Sequence, residues 1–308
     1  MIKVFLGLTP FIFITLIGFF FGRSKILDLN HAKILNLFLF YIAVPALIIN
    51  FVAQSEIGQI DFNQIISYLI MQIISGSFTF FIVLKFFNRP ISESIIWSLT
   101  VALSNHVTLL LPITKIYFGN DVVTQVASII LMDGVILLSI VTFFLELVTK
   151  KNVKLFLFLK SLIFNPMILS IIIGLLLFVF NINIEDTPIE YTLEKLAACV
   201  SPVGLFAIGI ILSFYTKEVL NKLSFSISIL KLIISPFILL LISYIIFDSG
   251  LPKEIPGAFF VSVAPCGVTS IVLCSAYNVS PENIIKAIFI STFASIATIF
   301  FAIQYLTT

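Results

Sequence analysis

Charged residues are scarce in this sequence, and their scarcity excludes a soluble globular protein. Asp, Glu, Lys and Arg make up 10% of the 308 residues, whereas apolar residues make up 60%. Soluble domains usually carry about 25% charged residues. The composition therefore predicts an all-α membrane protein that crosses the bilayer several times.

Other residue types are too few or too scattered for several functions. The net charge is +2, and the seventeen Lys and Arg residues form no basic stripe that would indicate nucleic acid binding. Cys199, Cys266 and Cys274 have no paired spacing, which favours neither a disulfide framework nor a metal site. With only His31 and His106, and no paired carboxylates in its apolar runs, the chain lacks the groups that a membrane-embedded enzyme needs. No Walker loop or cofactor motif is present.

Long apolar runs are what the sequence has in abundance. A bilayer core about 30 Å thick requires roughly 20 apolar residues per helix. Ten runs of that length occur, and the short polar connections between them leave no room for a soluble domain. The ten predicted spans are residues 4–22, 32–53, 64–87, 94–117, 122–147, 157–180, 194–215, 225–247, 255–276 and 283–305.

Lys and Arg concentrate in alternate connections, and the opposite connections are mainly acidic. By the positive-inside rule the basic connections face the cytoplasm. We therefore expect a multi-pass protein of the cell (inner) membrane with both termini outside the cytoplasm. The basic set consists of Arg23, Lys25, Lys33, Lys85, Arg89, Lys150, Lys151, Lys154, Lys217 and Lys222.

The two halves of the chain repeat a pattern of marker residues. Proline and glycine are eight residues apart in “PFIFITLIG” (10–18) and in “PMILSIIIG” (166–174). “HVTLLLPITKIY” in span four aligns without a gap to “GVTSIVLCSAYN” in span nine. An odd number of spans per half turns the second half upside down, so we predict two inverted five-helix repeats, residues 1–152 and 153–308.

Spans four and nine are interrupted by residues that disfavour a continuous helix. Proline and glycine stand among polar residues in “SNHVTLLLP” and “VAPCGVTS”. Each span is predicted to break into two half-helices, which lipid tolerates only beside protein or a water-filled cavity. The N-termini of half-helices at such a cavity suit an anion. An ordinary proline kink, with Thr and Ser bonded back to their own helix, is the alternative.

At these motifs the chain resembles the auxin efflux carrier family, which includes bacterial malate and malonate permeases. “SNHVTLLLPITKIYFG” has the family's asparagine seven residues before a proline, followed by a lysine and a final glycine; “PCGVTSIVLCSAYNVSP” matches in span nine. The resemblance covers all ten spans. Plant members have a second proline where this chain has Ser270 and a bulky polar residue where it has Cys266, which argues against auxin itself.

The resemblance implies a scaffold of spans one, two, six and seven and a transport domain of spans three to five and eight to ten. It implies crossed broken helices that hold a carboxylate and an elevator-type alternating-access cycle, and it allows a homodimer through the scaffold spans. It carries Asn105 and Pro112 onto the site in span four and Pro265 and Gly267 onto the site in span nine. It also makes Asp133 a polar residue of the substrate site.

Three ionisable residues lie inside predicted spans. His106 suits a proton or an anion, and equally a plain hydrogen bond at a helix interface. Asp133 lies deep in span five, where an acid faces a cavity or a partner such as Lys231. Asp133 is therefore also a candidate for proton coupling. Lys231 either extends its amine to the cytoplasmic interface, which we favour, or acts as a counter-ion.

We therefore predict a secondary transporter, not an enzyme, that moves a small organic anion, most simply a carboxylate. A sodium- or proton-coupled carrier of the bile-acid-carrier or sodium/proton-antiporter type is the closest alternative; sodium would need oxygen ligands at the crossing. A membrane-embedded enzyme is a more distant one. No cofactor or metal is expected. The predicted substrate-binding residues are Asn105, His106, Thr108, Pro112, Asp133, Pro265, Cys266, Gly267, Thr269 and Ser270.

Overall fold

The computed structural model describes residues 2–54, 61–149, 165–215, 221–248 and 251–307. In these ranges the chain is almost entirely helical and has no β-strand. Six continuous helical segments are long and apolar enough to cross a membrane, and three shorter helices are also apolar. The predictions that concern Glu56, Lys150, Lys151, Lys154, Lys217 and residues 157–164 fall outside the described residues. The number of ten spans and the inverted relation of the halves stay predictions.

The first half contains eight described helices, and three of the joints between them are π-helical turns. The π turns are Leu39–Ala43, His106–Leu110 and Asp133–Leu137. The helices are α1 (Ile2–Arg23), α2 (Leu29–Phe38), α3 (Val44–Gln54), α4 (Phe62–Lys85), α5 (Ile91–Ala102), α6 (Leu111–Tyr117), α7 (Asn120–Met132) and α8 (Leu138–Thr149).

The second half contains eight more described helices and one π turn, Leu230–Ile234. The helices are α9 (Pro166–Val179), α10 (Pro188–Ala198), α11 (Val200–Phe214), α12 (Lys222–Ile229), α13 (Ser235–Phe247), α14 (Pro256–Ser262), α15 (Thr269–Ala276) and α16 (Glu282–Thr307).

The helices of spans four and nine are broken, as the sequence predicts. The chain leaves the helix after Ala102 and after Ser262, and helix α15 begins at Thr269. Pro112, however, does not lie in the break: it occupies the first turn of α6, beyond the π turn His106–Leu110. The first turn of a helix tolerates proline because the backbone N–H has no partner there.

The helices pack into two groups. Bundle 1 consists of α1–α3 and α9–α11, and bundle 2 consists of α4–α8 and α12–α16. In bundle 1 glycines bring α1 and α11 together: a Cβ atom on Gly18 would lie 2.1 Å from the Phe206 carbonyl oxygen, and one on Gly209 would lie 2.1 Å from the Thr15 carbonyl oxygen. Small residues allow such close backbone approach in membrane helices. That bundle 1 is a scaffold and bundle 2 a transport domain that moves against it stays a prediction.

Candidate functional site

The broken part of span four (residues 103–110, the fourth-span segment) and that of span nine (residues 263–270, the ninth-span segment) cross each other and form backbone hydrogen bonds. Ser104 and Cys266 form an isolated antiparallel bridge. The Asn105 N–H donates to the Pro265 carbonyl at 3.0 Å, and the Gly267 N–H donates to the Leu103 carbonyl at 2.8 Å. Each unwound segment therefore supplies the backbone partners that the other segment loses by leaving its helix.

Hydroxyl groups of helix α16 form hydrogen bonds with further backbone groups of the ninth-span segment. Ser291 Oγ accepts from the Cys266 N–H at 3.1 Å, and Thr298 Oγ1 donates to the Val263 carbonyl at 2.8 Å. Ser270 Oγ donates back to the Gly267 carbonyl at 2.8 Å. The Cys266 N–H, the Val263 carbonyl and the Ser270 hydroxyl are therefore paired within the protein.

An acid and a histidine form a buried pair beside the crossing. His106 Nε2 lies 2.7 Å from Asp133 Oδ2, and the two side chains are 6% and 1% exposed. Gln72 Nε2 donates to the other carboxylate oxygen, Asp133 Oδ1, at 2.7 Å and to the Ala102 carbonyl at 3.0 Å. Both carboxylate oxygens therefore accept hydrogen bonds. The partners also fix the orientation of the Gln72 amide, because a flipped amide would set oxygen against two oxygens.

Two buried nitrogens of the fourth-span segment have no hydrogen-bond partner within the described part of the chain. Asn105 Oδ1 accepts from the Thr108 hydroxyl, which leaves Asn105 Nδ2 unpaired, and His106 Nδ1 is unpaired as well. Buried polar groups are nearly always paired, so unpaired ones need an explanation. Here the two nitrogens belong to adjacent residues.

These residues line a cavity of about 120 Å³ between the two bundles. Five of the predicted site residues contribute to its wall: Asn105, His106, Thr108, Asp133 and Thr269. Apolar residues of bundle 1 form much of the opposite wall, among them Leu39, Val44, Ile48, Met167 and Ile208.

The other five predicted residues do not line this cavity. Pro265, Cys266, Gly267 and Ser270 are buried at or beside the crossing. Pro112 lines a second cavity, of about 300 Å³, together with Lys115, Glu194 and Ser201. Val107 belongs to the walls of both cavities.

Lys231 is placed differently from the favoured expectation. Its side chain is fully buried, and Nζ donates to Ser104 Oγ at 2.7 Å, so it does not extend to the membrane interface. It forms no direct ion pair with Asp133, whose oxygens face Gln72 and His106. The expectation was wrong because the π turn Leu230–Ile234 buries Lys231 inside bundle 2, which periodicity alone does not reveal.

Sequence reasoning missed Gln72, Tyr68 and Ser104. Ser104 Oγ accepts from Lys231, lies 2.9 Å from the Tyr68 hydroxyl and donates to the Val261 carbonyl at 2.9 Å. A signal was available, because buried polar residues recur along one face of α4 at positions 64, 68, 72, 75 and 79. A polar stripe of that kind in a span faces protein, not lipid.

Comparison with known proteins identifies the family of the chain. The family described as “Membrane transport protein” matches residues 3–303. No curated protein matches the chain. Because the match covers nearly the whole chain, this integral membrane protein belongs to the membrane transport protein family, the auxin efflux carrier family of permeases.

Proposed function

We propose that the protein is a secondary transporter of a small organic anion, with the carboxylate held in the cavity between the bundles. The observation that carries the proposal is the pair of unpaired nitrogens on Asn105 and His106 in the wall of that cavity. A carboxylate has two oxygens, which can accept hydrogen bonds from Asn105 Nδ2 and from His106 Nδ1 when that nitrogen carries a hydrogen. Helix α15 begins beside it at Thr269 without a side-chain cap, which further favours an anion.

The cavity also favours a small substrate with an apolar part. Its polar wall is formed by the fourth-span segment and Asp133, and the apolar wall by bundle 1. A short-chain carboxylate would direct its charged end to the polar wall and its hydrocarbon part to the apolar wall. The buried amine of Lys231 lies behind the crossing, where it donates to Ser104 Oγ.

The two cavities support an alternating-access cycle of the elevator type. Val107 separates them, and Thr108 packs closely on Gly204: a Cβ on Gly204 would lie 2.5 Å from Thr108 Cγ2. This contact joins bundle 2 to bundle 1. Sliding of bundle 2 along bundle 1 would carry the polar wall of the cavity from one side of the membrane to the other. The proposed orientation places both termini outside the cytoplasm. A homodimer through bundle 1 remains part of the proposal.

Among coupling ions the geometry disfavours sodium at the crossing. The Thr108 hydroxyl donates a hydrogen bond to the side-chain oxygen Oδ1 of Asn105. The Ser270 hydroxyl donates one to the Gly267 carbonyl. These are three of the four side-chain oxygens at the crossing that could bind sodium; the fourth belongs to Thr269, which lines the cavity. Coupling to a proton or to the membrane potential is favoured instead.

The test is uptake of a panel of radiolabelled acids, including pyruvate, malonate and indoleacetate, into liposomes that contain the protein. Uptake above that of empty liposomes is expected for at least one short carboxylate, and its absence for every acid would refute the proposal.

The cycle is tested with a disulfide between Thr108→Cys and Gly204→Cys, in a Cys199→Ser background. The Cβ of residue 204 would lie 3.1 Å from that of residue 108, so a separation of a few tenths of an ångström would bring the pair to the disulfide range of about 3.5–4.5 Å. Oxidation should arrest uptake and reduction restore it. The control pair Gly22→Cys and Ser213→Cys lies within bundle 1 at 3.0 Å and should leave uptake intact when oxidised. Equal uptake by both oxidised pairs would exclude sliding at this contact.

A further inference from the structure

We propose that the His106–Asp133 pair is the proton-coupling site of the carrier, with the proton taken up on His106 Nδ1 together with the substrate carboxylate. This inference rests on the proposed function. It assigns the proton to the imidazole and gives Asp133 the role of a fixed acceptor.

The first step is the state of Asp133. Its Oδ1 accepts from Gln72 Nε2 and its Oδ2 faces His106 Nε2, both at 2.7 Å. A protonated carboxyl group would have to donate from one of these oxygens, and Gln72 Nε2 offers no acceptor. Oδ1 therefore carries no hydrogen, and the proposal places the hydrogen of the Oδ2–Nε2 contact on His106, which leaves Asp133 a carboxylate.

The second step follows for the other ring nitrogen. With a hydrogen on Nε2, Nδ1 of the neutral imidazole is an acceptor, and it has no partner in the described part of the chain. A substrate carboxylate beside this lone pair would be repelled. When Nδ1 takes up a proton, the same nitrogen becomes a charged donor to the carboxylate, so proton and substrate bind in one step.

The surroundings hold the charge balance that this step requires. Lys231 and Tyr68 lie near enough to Asp133 for electrostatic interaction, and Lys231 also lies near the Cys266 thiol. The ammonium of Lys231 offsets the carboxylate of Asp133. Four helices pack on the π turn of His106. Helices α11 and α14 carry no titratable side chain. The titratable side chains of α6 and α7 lie at the ends away from this turn: Lys115, Tyr117 and Asp121.

One proton is therefore taken up with each substrate molecule whose carboxylate binds beside His106. A monocarboxylate adds one negative charge and the imidazolium one positive charge, so the loaded site has the net charge of the empty one. Transport of a monocarboxylate is then electrically neutral and is driven by a pH gradient.

The chain contains a matched control for the histidine. His31 Nδ1 lies 2.7 Å from Asp28 Oδ1, the same separation as in the buried pair, but both side chains are about half exposed. The backbone N–H of His31 and then its side chain lower the pKa of Asp28. His31 caps the start of helix α2 and does not line the cavity.

The experiment measures pyruvate binding and uptake from about pH 5.5 to about pH 8, where pyruvate stays ionised. Wild type and His31→Gln should lose affinity by up to about tenfold per pH unit on the alkaline side. His106→Gln keeps an amide that can reach Asp133, and it should bind more weakly without pH dependence. A flat wild-type profile, or the wild-type slope in His106→Gln, overturns the inference.

A second measurement uses wild type alone and does not depend on folding of the variant. With the membrane potential clamped, pyruvate uptake should follow the imposed pH gradient and carry no net charge. Uptake that follows the potential instead overturns the inference while leaving the proposed function in place. No uptake of any acid in the panel at any pH refutes the proposed function itself.

Discussion

The two broken segments cross at one point, yet they use their polar groups differently. In the ninth span the Ser270 hydroxyl donates to the Gly267 carbonyl. The Val263 carbonyl accepts from Thr298, and the Cys266 N–H donates to Ser291. In the fourth span the Asn105 amide and the His106 ring each keep one nitrogen unpaired. The comparison supports the proposal that the fourth segment recognises the ligand, while the ninth segment mainly supports the crossing and contributes Thr269 to the cavity wall.

The largest effect is expected from a side chain on Gly267, because it would break the crossing itself. A Cβ there would lie 2.8 Å from the Leu103 carbonyl oxygen and 2.9 Å from its Cβ. Gly267→Val should lower the free energy of unfolding by about 3 kcal/mol, at the upper end of ordinary overpacking. Thermal unfolding in detergent measures it.

The control is Gly119→Val, since a Cβ on Gly119 meets no atom within 4 Å. Equal unfolding temperatures for the two valine variants would mean that the close contact at Gly267 does not support the fold.

The second largest effect is expected from Asn105→Ala, which tests whether the fourth-span segment binds the substrate. Asn105→Ala removes the unpaired Nδ2, and loss of one hydrogen bond to a charged group costs about 1.5–3 kcal/mol, or roughly 10- to 150-fold in affinity. The fold should survive, because Asn105 gives the rest of the chain only an acceptor for Thr108 through its side chain. Substrate binding and thermal unfolding are measured on the same preparation. Wild-type affinity in this variant would remove Asn105 from the site.

The smallest effect is expected on the opposite side of the crossing. The Ser270 hydroxyl is buried and bonded to the Gly267 carbonyl. Ser270→Ala should therefore change the substrate affinity less than about twofold, with a loss of stability near 1 kcal/mol. A tenfold loss of affinity would show that both segments recognise the ligand, and the contrast between them would fail.

The sequence predicts the features that depend on residues close together in the chain, namely the helices and the two interruptions. Apolar runs identify the helices, and proline, glycine and polar residues identify the two interruptions. It does not predict contacts between distant residues. Gln72 reaches Asp133 across 61 positions and Lys231 reaches Ser104 across 127, and no periodicity specifies either pair. The burial of Lys231 was therefore mispredicted, and the partner of Asp133 was left open.

The π turns make this site sensitive to insertions and deletions. His106, Asp133 and Lys231 each lie in a π-helical turn, a rare form that often occurs at functional sites. A π turn bonds each N–H to the carbonyl five residues earlier, so it holds one residue more than an α-helical turn. Removing one residue from this turn, such as Val135, would let the helix pair normally and would leave the two halves of span five nearly unrotated, because the π turn holds one residue more than an α-helical turn. What would be lost is the widened turn itself, which contains Asp133. Among relatives of this chain, the length of span five is therefore a marker of whether the widened turn at position 133 is kept.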